Sequence, residues 1–139
     1  MKMQKFIMLA GIAAMLAACG GSNKIVEPAD LNEQRVFFAF DKSDISEDAR
    51  NNLLGQSLYM KNHKDTKIKL EGHCDERGTI EYNLALGARR ANAAKAVMVK
   101  DGVDAKRIDT ISYGKERPWK LGSGEAVWMY NRNATTVVQ

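Results

Sequence analysis

The segment Lys67–His73 constrains the fold more than any other part of the chain. Ile68, Leu70 and Gly72 alternate in it with charged or polar residues. This period of two is typical of a β-strand with one buried face. A polar loop follows, and a helical pattern then extends over 79–100. Because both segments have an apolar side to bury, the sequence predicts a sheet that is covered by helices.

The helix of 79–100 has recognisable ends. Thr79 can cap its N-terminus, and Glu81 lies in the first turn, where the helix dipole favours an acid. Gly102 is a natural residue to end it. We predict that its apolar side consists of Ile80, Leu84, Ala91 and Met98.

An earlier helix is predicted from Ser46 to about Asn62. Ser46 can cap it, and Glu47 and Asp48 occupy the first turn. The spacing of its apolar residues predicts a buried stripe on one side. That stripe consists of Ala49, Leu53, Ser57 and Met60, with Leu54 and Leu58 beside them.

The remaining elements are shorter. Runs of residues that favour strands lie at Val36–Phe40, Arg107–Tyr113 and Asn133–Val138, and Gly124–Tyr130 can form a short helix. The order is then strand, helix, strand, helix, strand, short helix, strand. Such mixing favours an α+β fold of two layers, with the helices on one face of the sheet.

The N-terminus has the pattern of an export signal. Lys2 and Lys5 precede an apolar run, Phe6–Ala18. As a helix this run would span about 20 Å, which is short of the ~30 Å hydrocarbon core of a bilayer. We therefore predict a signal peptide over 1–18 and not a permanent membrane span.

The sequence Leu16-Ala17-Ala18-Cys19 resembles the lipobox of bacterial lipoproteins. The resemblance implies cleavage before Cys19 and attachment of diacylglycerol to its thiol. Two or three acyl chains anchor a protein firmly, since each buried CH₂ contributes about 0.8 kcal/mol. The alternative is an ordinary secretory signal with a chance cysteine. Gly20 follows, where an aspartate tends to retain lipoproteins in the inner membrane, so we expect an outer-membrane anchor and a domain that faces the periplasm.

The residues after the signal divide into a linker and one domain. Gly20–Gln34 has no periodic apolar pattern and is interpreted as a flexible linker, with a domain over 35–139. The chain is 45% hydrophobic and 27% charged, as in globular proteins. Without Lys2 and Lys5, 19 basic residues face 17 acidic ones. A formal charge of +2 is too weak to favour a nucleic-acid partner.

Three motifs in this domain resemble those of OmpA-like domains, and most closely the version in the peptidoglycan-associated lipoproteins. They are Val36–Asp44 (VFFAFDKSD), Gly72–Ala93 (GHCDERGTIEYNLALGARRANA) and Ser112–Pro118 (SYGKERP). The resemblance covers about residues 35–138. It implies a two-layer sandwich, with a four-stranded mixed sheet and helices on one face.

The resemblance also implies a function. Such domains bind peptidoglycan non-covalently through the meso-diaminopimelate of its stem peptide, and they tether the outer membrane to the cell wall. A further expected partner is the periplasmic propeller protein TolB of the Tol system, which acts in envelope integrity and cell division, and other Tol or OmpA-like envelope proteins could also bind. No enzyme activity, cofactor or metal is implied.

Asp75 and Arg90 fall on the family's two key binding positions. An aspartate can pair with the ligand's ammonium, and an arginine can hold its carboxylate in a bidentate fork. The helix start at Gly78–Thr79 offers free N–H groups to the same anion. Asn83, Gly87 and Arg90 share one helix face, and we expect Gly87 to leave room for the ligand. Further expected lining residues are Arg77, Tyr82, Leu86, Phe40 and Asp41.

Structural roles are the alternative for several of these residues. Asp75 and Arg90 could form an ion pair with each other, and Tyr82 and Leu86 could belong to the core. Cys74 stands where the family has a small residue, and a buried thiol would fit there. Asn131-Arg132-Asn133 stands where the family commonly has two arginines in succession, so no site residue is assigned to that segment.

Three other functions remain as alternatives. One is an OmpA-like lipoprotein that binds the wall outside the Tol system. Another is a peptidoglycan-processing enzyme with Cys74 as nucleophile and His73 as base, although neighbours on a strand point to opposite faces. The third, a metal site from His73, Cys74, Asp75 and Glu76, is disfavoured because four consecutive residues cannot surround a tetrahedral ion.

Overall fold

The computed structural model describes residues 24–139, so the predicted signal peptide and the lipidation of Cys19 lie outside the described residues. A three-residue 3₁₀-helix, Ala105–Arg107, precedes the third strand. The elements in chain order are β1 (Arg35–Phe37), α1 (Glu47–Asn62), β2 (Ile68–His73), α2 (Ile80–Lys100), β3 (Ile108–Gly114), α3 (Glu125–Asn131) and β4 (Asn133–Val138).

The strands form one mixed sheet with the order β1-β4-β2-β3. β2 and β3 are parallel, with Ile68 opposite Ile108, and α2 is the crossover between them. β4 lies antiparallel to both β1 and β2. The predicted α+β architecture with a four-stranded mixed sheet is confirmed.

The core lies between this sheet and the two long helices. The alternation predicted for β2 is confirmed, since Ile68, Leu70 and Gly72 are buried. The predicted stripe of α1 is also confirmed, because Leu53, Ser57 and Met60 are fully buried. The Ser46 side chain accepts a hydrogen bond from the backbone N–H of Ala49 at 3.1 Å, as expected for its cap. Within residues 24–139, no helix is long and apolar enough to cross a bilayer.

The ends predicted for α2 are correct, but part of its apolar side is wrong. Thr79 caps the helix, and Gly102 follows it with a φ of 105°. Ile80 and Leu84, however, are 49% and 39% exposed. The N-terminal half of α2 instead buries residues that the hydrophobic pattern does not detect: Asn83, Leu86, Gly87 and Arg90.

Two predictions before α1 also need correction. The first strand ends at Phe37 and not at Phe40, because the chain turns at Ala39, whose carbonyl accepts from the N–H of Lys42. The linker predicted for Gly20–Gln34 is wrong at its end, since Leu31 is fully buried in the core. The packed domain therefore begins before residue 35.

Candidate functional site

A cavity of about 240 Å³ opens where β2 ends and α2 begins. Every residue predicted for the site except Thr79 and Gly87 lines this cavity, and Cys74 is an additional lining residue. Thr79 lies beside the cavity, where its side chain accepts from the N–H of Tyr82 at 3.1 Å. The lining residues are Phe40, Asp41, Cys74, Asp75, Arg77, Gly78, Tyr82, Asn83, Leu86 and Arg90.

Asp75 is buried in the wall of this cavity and is held by Arg77. Arg77 donates from Nε to Oδ1 at 3.1 Å and from Nη2 to Oδ2 at 2.7 Å, and its backbone N–H reaches Oδ1 at 3.0 Å. Burial acts to raise the pKa of Asp75. The hydrogen bonds and charge of Arg77, with the charge of Arg132, outweigh burial, so the pKa lies below its ordinary value.

Arg132 is a member of the site that the sequence analysis missed. Its Nη1 lies 3.5 Å from Oδ2 of Asp75, and its Nε donates to the carbonyl of Phe38 at 2.8 Å. Its guanidinium also pairs with Glu125 at 2.7 Å. Arg132 therefore connects Asp75 to the start of α3.

Arg90 is almost completely buried below the cavity. Its guanidinium donates to the carbonyls of Lys42 at 2.9 Å, His73 at 2.9 Å and Ala39 at 3.1 Å. Burial lowers the pKa of Arg90, although an arginine remains charged at neutral pH. Within residues 24–139 no ion pair joins Arg90 to Asp75. Since a guanidinium has five N–H donors, one remains after these three bonds and the hydrogen bond to the Cys74 thiol.

Arg77 is fixed from both sides by aromatic rings. Its guanidinium carbon lies 3.8 Å from the ring centre of Phe40 and 4.0 Å from that of Trp128. Trp128 in turn donates from Nε1 to Glu76 at 3.0 Å. This stacking orients the guanidinium that covers Asp75.

Polar contacts of α2 shape the rest of the rim. The hydroxyl of Tyr82 donates to Asp41, an exposed residue in the left-handed region with a φ of 56°. Asn83 donates to the carbonyls of Arg77 at 2.7 Å and Thr79 at 3.0 Å, which fixes the loop before α2. Sequence spacing placed Asn83 in the site, and the structure adds that it organises the backbone there.

The role expected for Gly87 is wrong. A side chain at this position would meet Oγ of Ser112 at 2.2 Å and the Gly72 carbonyl oxygen at 3.0 Å. Gly87 therefore lets α2 approach β2 and β3 closely and does not make room for a ligand in the cavity.

Cys74 and His73 lie on opposite sides of β2. The Cys74 thiol is buried beside the cavity, 3.3 Å from the carbonyl oxygen of Asn83. Burial raises the pKa of this thiol. The His73 ring stacks on Tyr113 on the other side. His73 is therefore not placed to act as a base for Cys74, and residues 24–139 contain no group of acids, histidines and cysteines suited to a metal.

A model of the OmpA family matches residues 37–132, which is most of the chain. The chain belongs to the OmpA family. The match includes the strand β2, the helix α2 and every residue that lines the cavity.

Two peptidoglycan-associated lipoproteins are similar to this chain in sequence. The peptidoglycan-associated lipoprotein of Haemophilus influenzae is 40% identical over 147 residues, which cover 96% of each chain. That of Mesorhizobium japonicum is 49% identical over 104 residues. This match covers 75% of the present chain and 62% of the Mesorhizobium protein, so the chain spans about three fifths of that relative.

Solved structures agree with this assignment. The crystal structure of the peptidoglycan-associated lipoprotein from Burkholderia pseudomallei has a TM-score of 0.74 and 39% sequence identity, over 77% of this chain and 91% of that one. The C-terminal domain of Helicobacter pylori MotB has a TM-score of 0.71 over 76% of this chain and 84% of that one, at 18% identity. MotB therefore shares the fold.

Proposed function

We propose that this protein is an outer-membrane lipoprotein that binds peptidoglycan non-covalently, with the cavity of Asp75 and Arg90 as the binding site. The free end of meso-diaminopimelate in the stem peptide is the proposed ligand. The protein would thereby tether the outer membrane to the cell wall. The names of its relatives support peptidoglycan as the partner.

The charge around the cavity carries this proposal. Two carboxylates, Asp41 and Asp75, and two guanidinium groups, Arg77 and Arg90, line it. A zwitterion suits such a balanced lining, since its ammonium and its carboxylate each find an opposite charge. Diaminopimelate presents both groups at its far end, whereas lysine lacks the carboxylate.

Retention on purified sacculi tests the proposal. We expect the full chain to sediment with diaminopimelate-type sacculi and to bind lysine-type sacculi at least about tenfold more weakly, because unpaired buried polar groups penalise the wrong ligand. Asp75→Ala and Arg90→Ala should lose retention. Arg89→Ala is the matched control, because Arg89 is the exposed neighbour of Arg90 on α2.

Folding must be separated from binding in this experiment. Each variant is used below its melting temperature, and free diaminopimelate is added as a competitor to the unmodified chain. Equal retention by wild type and both alanine variants, or no effect of the competitor, would exclude the assigned site.

The membrane anchor needs its own test. Metabolic labelling with palmitate should label the wild-type protein and not the Cys19→Ser variant, since the proposed lipid is attached at that thiol. Label that remains on Cys19→Ser would contradict the assignment, and fractionation of the labelled protein would show which membrane holds it.

TolB is the further partner that we propose. The family resemblance implies a TolB surface that overlaps the peptidoglycan surface, so we propose that TolB and stem peptide compete for the cavity. A pull-down of TolB by the full chain, with and without diaminopimelate-type muropeptides, tests this. Failure of TolB to bind would favour a wall-binding lipoprotein outside the Tol system.

A further inference from the structure

A second cavity of about 180 Å³ lies on the face of the sheet that is turned away from the long helices. In β2, Gly72 faces α2, where Gly87 packs against it. Glu71 and His73 therefore point to the opposite face, because side chains alternate along a strand. Both line the second cavity, together with Arg35, Arg117 and Trp119.

This cavity is separate from the proposed peptide site. His73 lines the second cavity and Cys74 lines the first, so the end of β2 divides the two. The carbonyl of His73 accepts a hydrogen bond from Arg90, which lines the first cavity. The backbone of His73 therefore contacts a residue of the first cavity, while its side chain lines the second.

Two buried nitrogens on side chains that line the second cavity lack a hydrogen-bond partner within the described chain. They are Nδ1 of His73 and Nε of Arg35. His73 is 8% exposed. An unpaired buried polar atom costs about 1 to 3 kcal/mol, so a ligand that pairs with these nitrogens recovers energy that the free protein lacks.

The two nitrogens require opposite hydrogen-bonding partners. Burial lowers the pKa of His73, and although Glu71 acts against this, Arg35 and Arg117 lower it further. The ring is therefore neutral at pH 7, and with its Nε2 facing Glu71 at 3.5 Å, Nδ1 is an acceptor. Nε of Arg35 is a donor. A hydroxyl group can donate to the first and accept from the second.

The walls of the cavity carry stacked guanidinium and aromatic groups. The guanidinium of Arg35 lies 4.0 Å from the ring centre of Trp119, and that of Arg117 lies 3.9 Å from the ring centre of Tyr113. Trp119 remains 43% exposed. Phe37 also stacks on this ring, with the ring centres 6.2 Å apart, and the part of the indole that stays exposed is an apolar surface that can pack on the C–H groups of a ring.

The formal charges of the lining cancel. Arg35 and Arg117 are balanced by Glu33 and Glu71, which line the same cavity. The net electrostatic attraction of the cavity for an ion is therefore small. A neutral ligand with several hydroxyls can instead form a hydrogen bond with each of these groups.

We infer that this cavity binds a neutral saccharide ring, which packs on Trp119 while its hydroxyls pair with His73, Arg35 and the flanking carboxylates. The volume suits one ring, since it equals the space of about six water molecules at ~30 Å³ each.

Peptide-free sugars test this inference without involving the proposed peptide site. The full chain in detergent is titrated with N-acetylglucosamine trimer and, separately, with glucose trimer, and binding is followed by calorimetry and by backbone amide shifts. We expect saturable binding with shifts at Trp119, His73 and β4. A preference for the acetylated trimer would point to an amino-sugar polymer as the source of the ring, and a preference for the glucose trimer to a plain hexose polymer.

Three variants locate the binding. Trp119→Ala and His73→Phe should each weaken it by about tenfold, the effect of one lost packing face or hydrogen bond. Leu121→Ala is the control, because Leu121 lies in the same loop and is 85% exposed. Absence of sugar binding, or equal binding by all three variants, would overturn the inference, whatever the sacculus assay shows.

Discussion

Asp75 and Arg77 form a bidentate pair in which both carboxylate oxygens are occupied, at 3.1 Å and 2.7 Å. A ligand's ammonium must therefore share or replace the contacts of Arg77. Since Arg77 is held between Phe40 and Trp128, the cation and the carboxylate are both oriented before a ligand arrives. Asp75 consequently has a role in stability as well as in the proposed binding.

Asp75→Asn should make stability less dependent on pH. Because the pKa of Asp75 is lower in the folded than in the unfolded protein, its stabilising effect is present above the unfolded value of about 3.9. It is lost as pH falls through the folded value. We expect Asp75→Asn to reduce the unfolding free energy at pH 7 by about 1 to 3 kcal/mol.

Urea denaturation at a series of pH values measures this effect. The difference between wild type and Asp75→Asn should shrink as the solution is acidified below about pH 4. Asp65→Asn, an exposed change in the loop before β2, should give no comparable difference. A difference that is the same at every pH would contradict the ionic role of Asp75.

Arg90→Met should destabilise the fold even without a ligand. Three carbonyls from two chain segments lose the hydrogen bond that the guanidinium donates when it is removed. We expect a loss of about 2 to 4 kcal/mol, and Arg90→Lys should recover only part of it because an ammonium cannot reproduce the planar fork. Thermal unfolding of both variants tests this, with Arg89→Met as the exposed control on the same helix. A melting temperature as high as that of the control would show that Arg90 is dispensable for folding.

Gly72→Ala should be more harmful than Gly87→Ala. A methyl group at Gly72 would lie 1.7 Å from the backbone oxygen of Gly87, which cannot move without shifting the helix. The methyl group at Gly87 would meet mainly the side chain of Ser112, which can rotate. We expect about 1 to 3 kcal/mol of overpacking for Gly87→Ala and a larger loss for Gly72→Ala.

Denaturant unfolding ranks the two variants by their free energy of unfolding. Ala85→Ser is the control, because Ala85 is an exposed residue of α2. The experiment also checks the corrected role of Gly87. If Gly87 made room for a ligand, its alanine variant would lose retention on sacculi while it kept wild-type stability.

The elements that the sequence predicted best are those whose signals are local. Ser46 and Thr79 cap helices through bonds to residues only three positions away. The alternation of Ile68 and Leu70 likewise indicates a buried face from neighbouring residues alone. Such features need no knowledge of the rest of the fold.

The features that were missed depend on contacts between distant parts of the chain. Arg132 reaches Asp75 only because β4 lies beside β2 in the sheet. Leu31 lacks a periodic pattern around it, yet the core encloses it completely. At Ile80 and Leu84 the hydrophobic pattern was misleading, because that end of α2 uses its inner side for polar contacts around the cavity. The motif resemblance supplied the cavity residues, whereas their hydrogen bonds required the structure.

Cys74 should be unreactive while the protein is folded. Its thiol is buried beside Asn83 and Arg90, and burial raises its pKa although Arg90 acts against this. Only the thiolate reacts readily with disulfide reagents, so both access and ionisation are unfavourable. In the Cys19→Ser protein, where Cys74 is the remaining cysteine, we expect Ellman's reagent to modify no thiol at pH 7.5 and one thiol in concentrated urea. Prompt reaction without urea would show that the wall of the cavity opens readily, and saturating diaminopimelate should then slow the reaction if it occupies the same cavity.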